Sequence, residues 1–482
     1  LQQTGDVEVN YVIPAGSMII PNLQPEAPLI AAILEFDADI IESVLAEERL
    51  RNLKDGSSIM YDTTAFNLTM MYGLEAVTVP SNLEVGLKEW SPQNISIKTN
   101  PEAIIWAVDG VDDNSVAFAA RLMEKGVEVR IIDKEALLSK QSLSRGSIAV
   151  LAMDNPEYED LYETVNSIAS DLDISVLSIE SGFGAEELPD WGGRHFRLLE
   201  RPQIAILSQS GFSSYDVGVS WWSLDHHLGI RHSQIDASLV NYADLRRYNT
   251  IILPSGYRDM GEYEKKVLSD WMEQGGTLIA HAASSSALAS EQGIGSVKLL
   301  QNTFEESEKY NISLQRELSA LYEELDIESV NSNKVDLDTA YPWEQSEGKY
   351  PPSQLEYRDN WQSIFMPSGA FVSGRTDQEH WLTFGTNSTL PLLYRSYPVL
   401  MSDDSSEAPI RVGVFSDSAK ANTYSTINWS DIPPGKELNV RMSGLLWPEA
   451  AQRIANSAYL TRDRIGKGPV SYTHLTLPTI AK

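Results

Sequence analysis

The chain has 482 residues, 42% of them hydrophobic, no cysteine, and 37 basic against 68 acidic side chains for a formal charge of −31. That length and apolar content suffice for a large core divided among two or three domains. The charge argues against a nucleic-acid or anionic-membrane partner, and the missing cysteines exclude disulfides, thiolate nucleophiles and Cys-ligated metals. No apolar run approaches the roughly 20 residues of a membrane span.

In chain order, "AGSMIIPNLQPEAPLIAAI" from Ala15 and "RGSIAVLAMDNPEYEDLYETV" from Arg145 open alike, with Gly-Ser, an apolar strand, a proline and a run of helical spacing. One strand–turn–helix unit is therefore expected twice. Between them "AIIWAVDG" reads as a buried strand and "NSVAFAARLMEKG" as a helix stopped at Gly126. "VEVRIID" is the next strand, and together they form a βαβ unit. Short connections and continuous apolar strands predict a parallel sheet with helices on both faces.

After "ERP", strands are expected at "QIAILSQ", "HSQID", "TIILPSG" and "TLIAHA". Helices alternate with them, over "SYDVGVSWWSLDHHLG" and over "MGEYEKKVLSDWMEQGG", which ends on Gly275 and Gly276. This alternation predicts a three-layer, flavodoxin-like α/β domain preceded by a further α/β region. From about residue 301 to 361 the pattern reads as an insertion, with an exposed charged helix at "FEESEKYNISLQRELSALYEEL" and a Pro-rich loop. "SGLLWPEAAQRIANSAYLTRDRIGKG" reads as a helix and turn awaiting one more strand. The expected divisions are 1–95, 96–200 and 201–467, with 468–482 set aside, because Val470 to Thr479 resembles a translated sequencing adapter. The start at Leu1 looks cut, so the chain is expected to be a fragment.

In a doubly wound domain, ligands and nucleophiles sit outside the carboxyl ends of the strands. The turn in question, "TLIAHAASSSALAS", carries neither cysteine nor Gly-x-Ser-x-Gly. His281 falls near the nucleophile's place, followed by Ser284, Ser285 and Ser286. A Ser–His hydrolase built from them is one reading and a solvated serine turn the other. None of the seven histidines belongs to a His-x-x-Glu or His-Glu-x-x-His pair, so no zinc ligands are assigned. In "SQSGFSSYDVG", Ser213 or Ser214 is expected to cap a helix whose dipole Asp216 complements. Ser213, Tyr215 and Asp216 are the candidate ligand-binding residues there, with His281 a fourth. The paired tryptophans Trp221 and Trp222 are expected to face the sheet, with Asp225 and two histidines near the helix end.

"SSYDVGVSWWSLDHHLGI", "DLRRYNTIILPSG" and "GGTLIAHAAS" resemble the class I glutamine-amidotransferase-like domain that follows the catalytic domain in long bacterial zinc carboxypeptidases. "GSSIMYDTTAFNLTMMYGLEA" resembles the Tyr-Asp-x-Thr-Ala-aromatic segment between the two. "DQEHWLTFG" and "SGLLWPEAAQRIANSAYLTRDRIGKG" resemble the closing elements. The resemblance implies that zinc and peptide hydrolysis belong to a catalytic domain outside this chain, which itself holds no cofactor and no catalytic residue. It also implies a periplasmic or extracellular location. Two other readings stand beside it. One is a standalone peptide- or glycan-binding module using Trp191, Trp221 and Trp222; the other is a weak hydrolase using His281 or Asp225 with a nearby serine.

Overall fold

The computed structural model describes residues 12–36, 40–60, 62–79, 88–91, 99–185, 187–257, 259–322, 350–396, 398–418, 425–466 and 468–473. The fold is mixed α/β, with one wholly antiparallel sheet and one large sheet that is parallel at one side and antiparallel at the other.

The smaller sheet has strands β1 (Ile105–Val108), β2 (Arg130–Ile132), β3 (Ile148–Leu151), β4 (Leu177–Ile179) and β5 (Phe196–Leu198), in the order β4-β1-β3-β2-β5. Every pairing is antiparallel. This corrects the expected parallel sheet. β1, helix α1 (Ser115–Glu124) and β2 do form a strand–helix–strand crossover, and Gly126 at φ 87° ends its helix. β3 then inserts between the two strands, running opposite to both. Alternate residues of β1 face two different layers. Trp106 and Val108 meet α1 and helix α2 (Leu161–Asp171), whereas Ile105 and Ala107 meet the Ala136–Leu138/Gln141–Leu143 hairpin. Helices therefore cover one face only. The expected repeat also fails in part, because residues 12–26 contain no strand and lead directly into the Ala27–Leu34 helix.

In the large sheet, β6 (Ile204–Ser208), β7 (His232–Asp236), β8 (Thr250–Leu253) and β9 (Thr277–His281) pair in parallel in the order β7-β6-β8-β9. Both faces of this half are covered. Ala205, Leu207, Ile251 and Leu278 pack against helix α4 (Glu262–Glu273), while Ile204, Ile206 and Ile252 pack beneath helix α3 (Ser214–Trp222) and its π-helical extension Ser223–Leu228. The residues turned inward are Val217 and Ser220 of α3 and Leu224 of its extension, at i, i+3 and i+7. The tryptophans consequently face outward, with Trp221 41% and Trp222 51% exposed, contrary to expectation. With Val217, Ser220 and Leu224 on the sheet-facing stripe, the bulkier tryptophans are left to solvent.

After the short helix α5 (Ala283–Leu288), helix α6 (Ser307–Tyr322) buries Tyr310, Leu314 and Leu318 against the antiparallel half; it is not the exposed helix its charges suggested. Helix α7 (Pro352–Gln362) starts on its proline. Strands β10 (Ala370–Thr376), β11 (Thr389–Tyr394), β12 (Glu407–Val412) and β13 (Ala458–Ile465) continue the sheet in the order β11-β10-β12-β13, all antiparallel. β13 follows helix α8 (Pro448–Ile454), so "AYLTRDRI" is itself a strand rather than a turn. Gly468–Thr473, β14, lies antiparallel to β13 and parallel to β9, joining the two halves. Its ladder is made by backbone groups, which any non-proline residue supplies. The remainder of the adapter-like tail, 474–482, lies outside the described residues.

The parallel strands thus run β7-β6-β8-β9-β14, which is chain order 2-1-3-4-5. The strand order reverses between β6 and β8.

Candidate functional site

The two loops that leave β6 and β8 part at this reversal, and a cleft of about 1120 Å³ opens beside them. Their facing edges are clasped. Ser213 N donates to Ser255 O at 2.9 Å, and Phe212 and Gly256 form an antiparallel bridge. A Cβ on Gly256 would lie 2.7 Å from the Gly211 carbonyl oxygen, so the approach requires glycine. Gln209 and Ser210 hold left-handed backbones, φ 58° and 43°, to bring the first loop round. Two non-glycine residues in that region cost on the order of 1 kcal/mol or more each. The cleft walls are therefore fixed by backbone contacts made before any ligand arrives.

Ser213 and Asp216 line the cleft. Ser213 caps α3 as expected, its Oγ accepting from Asp216 N at 3.3 Å, and the hydroxyl proton remains for another acceptor. Asp216 lies in the first turn, where a carboxylate complements the helix dipole. Tyr215 is 86% exposed and is not one of the residues lining the cleft. His281 closes β9 and is buried behind the cleft, where burial pushes its imidazole pKa down to about 4.

The sharp turn after β9 centres on Ala282, one residue beyond the position expected from the sequence. Its backbone, φ 46° and ψ −116°, is a strained conformation that hydrolases of doubly wound folds use to present a nucleophile between strand and helix. Here the side chain is a methyl group. Ala283 N, the next donor along, points at Ser255 Oγ at 3.4 Å. Ser284 donates to Pro254 O and Ser285 to Ala280 O, so both hydroxyls are bound to backbone carbonyls rather than to the histidine. Ser286 lines the cleft. The turn therefore has the backbone of a nucleophile elbow without an acyl-accepting atom at its apex.

Several cleft residues were missed by sequence reading. Ser255, Gly256, Tyr257 and Asp259 follow β8, and Arg395 follows β11. The available signal was "PSG" after an apolar strand, which marks a turn at a carboxyl end. Met60 and Ser368 also border the cleft, and Thr64 ties this edge together by hydrogen bonds with Gly369 O and Leu445 N.

The histidines are dispersed. His195 pairs with Asp133 at 2.7 Å, His380 with Glu407 at 3.1 Å, and His226 stacks on Trp222 with ring centroids 4.7 Å apart. Among the described residues no group of three His, Asp or Glu side chains is placed to hold a metal. No helix among them is long and apolar enough to cross a membrane. Trp191 packs partly buried beside Arg130, apart from the exposed pair on α3. Asn67 and Asn428, each the first residue of an Asn-x-Ser/Thr triplet, are both buried.

No protein-family model matches the chain, and no curated protein matches it. Among solved structures it is similar to beta-galactosidase from Bacillus circulans sp. alkalophilus, at 12% identity and TM-score 0.27, over 57% of this chain and 28% of that one. It is similar to a ThuA-like protein from Bacteroides uniformis, at 11% identity and TM-score 0.25, over 57% and 81% of the two chains. It is also similar to the exo-beta-1,4-mannosidase Op5Man5 from Opitutaceae bacterium strain TAV5, at 11% identity and TM-score 0.23, over 56% and 31%. The chain spans less than a third of the length of either glycosidase.

Proposed function

We propose that this chain is a non-catalytic, amidotransferase-like region that accompanies the catalytic domain of an exported zinc carboxypeptidase and binds ligand at the cleft beside the β6 and β8 loops. The observation that carries the non-catalytic reading is Ala282, a strained elbow residue with no nucleophilic atom. The strand order 2-1-3-4-5 supports a flavodoxin-like, three-layer description of the parallel half. The carboxypeptidase assignment rests on the sequence resemblance. In it, zinc polarises the scissile carbonyl and activates water on a domain bearing a His-x-x-Glu pair.

The test compares this chain with the protein made from the longer native reading frame. Release of the carboxyl-terminal residue from hippuryl-arginine and hippuryl-phenylalanine is measured with and without 1,10-phenanthroline. The expected result is chelator-sensitive release by the longer protein and none by this chain. Release by this chain alone, or none by the longer protein, overturns the proposal. A second reading, a standalone binding module, is favoured by the outward stripe of Tyr215, Val219 and Trp222 on α3. It predicts ligand binding with no peptidase activity in either protein.

A further inference from the structure

The cleft lining mixes apolar side chains, among them Met60, Phe212, Leu299 and Val399, with a definite set of polar groups. Ser213 and Ser255 each accept a backbone N–H through Oγ, from Asp216 and Ala283 respectively, and each therefore keeps its hydroxyl proton for a ligand acceptor. Asp216 and Asp259 bring carboxylates to the same lining, which accept hydrogen bonds and offer none. The two guanidinium groups among the described lining residues are already engaged. Arg453 pairs with Asp359 at 2.7 Å, and Arg395 donates to Ser368 O at 2.8 Å and faces Asp62 at 3.4 Å. Tyr257 also borders the cleft and is 98% exposed, so its ring is accessible to a ligand there.

Among the described lining residues an anionic ligand meets two carboxylates and no guanidinium without a partner, in a chain of net charge −31. An apolar ligand would strip water from the carboxylates and serine hydroxyls without replacing their hydrogen bonds, which costs about 1–3 kcal/mol per group. A ligand rich in hydroxyls satisfies both kinds of group, donating to Asp216 and Asp259 and accepting from Ser213 and Ser255. A pyranose also presents a C–H face to a tyrosine ring. The volume of about 1120 Å³ accommodates more than one such unit.

We infer that the cleft binds a neutral oligosaccharide, held by the Asp216 and Asp259 carboxylates and stacked on Tyr257. This deepens the proposed function and rests on the reading that the elbow at Ala282 does not turn ligand over.

Binding is tested on the purified full chain by isothermal titration calorimetry. The probes are maltotriose, cellotriose, mannotriose, xylotriose and tri-N-acetylchitotriose, with trilysine and triglycine as cationic and peptide comparators. At least one neutral trisaccharide is expected to bind. Asp216→Asn and Tyr257→Ala are each expected to weaken it about tenfold, the loss equivalent to one charge-assisted hydrogen bond or one stacked ring. Asp171→Asn, exposed at the end of α2 and outside the cleft lining, leaves it unchanged. Tyr257 is almost wholly exposed, so its replacement keeps the test open if Asp216→Asn fails to fold. The inference is overturned if none of the five sugars binds, if trilysine or triglycine binds in their place, or if sugar binding survives both cleft substitutions. Failure here is distinct from failure of the functional proposal. A sugar that binds and is cleaved removes the non-catalytic reading and leaves the binding site standing, whereas sugars that neither bind nor react remove only this inference.

Discussion

Replacing His281 by glutamine tests how the residue nearest the elbow behaves. The imidazole is buried at the carboxyl end of β9, and burial pushes its pKa down to about 4 from an ordinary value near 6.5. Between those values the unfolded chain holds a proton that the folded chain refuses, so stability falls as pH drops from 6.5 towards 4. Below pH 4 the full penalty is present, about 2.5 pH units or roughly 3.4 kcal/mol. At pH 5.0 the penalty is about 2 kcal/mol, and at pH 7.5 it is close to zero. Urea unfolding followed by circular dichroism at the two pH values gives the comparison. Other titrating groups affect wild type and variant alike, so the difference isolates His281. The wild type is expected to lose about 2 kcal/mol more than His281→Gln between pH 7.5 and 5.0. Equal losses would refute a buried neutral imidazole and reopen a catalytic role for this histidine.

Three further outcomes follow from the same structure. Gly256→Ala drives a methyl group into the Gly211 carbonyl, so it is expected to cost about 2 kcal/mol in urea unfolding and to abolish ligand binding at the cleft. Ser213→Ala removes the α3 cap and is expected to cost about 1 kcal/mol by the same measurement. Glu317→Ala leaves the buried Arg411 without its bidentate partner, although Asn456 O and Ser402 still accept from it. A loss of about 2–3 kcal/mol is expected, less than for a fully buried pair because Glu317 is partly exposed.

The parallel half was readable because its strands are continuous apolar runs and its helices end on glycine. "IAILS", "TIIL" and "TLIAH" carry the signal without help from partners. The smaller sheet was not readable at the level of pairing. A strand–helix–strand sequence has the same pattern whether its two strands touch or a later strand such as β3 separates them. The tryptophans of α3 show a second limit. Apolar residues mark a helix face as buried only where nothing smaller competes for it, and Val217, Ser220 and Leu224 took the sheet-facing stripe. In α6 the apolar stripe was present, but the surrounding charges hid it. The cleft was half legible, since Ser213 and Asp216 announce a helix start at a strand's carboxyl end. Ala282 gave no sign, because strain belongs to backbone angles and alanine is silent about them.

The most direct measurement of the central claim is turnover by the purified chain. Hydrolysis of p-nitrophenyl acetate and of glutamine is followed at pH 7.5 against a heat-denatured control. With a methyl group at the apex of the elbow, and Ser284 and Ser285 donating to backbone carbonyls, the account predicts rates equal to the control for both substrates. Turnover above the control that disappears in His281→Gln would contradict it.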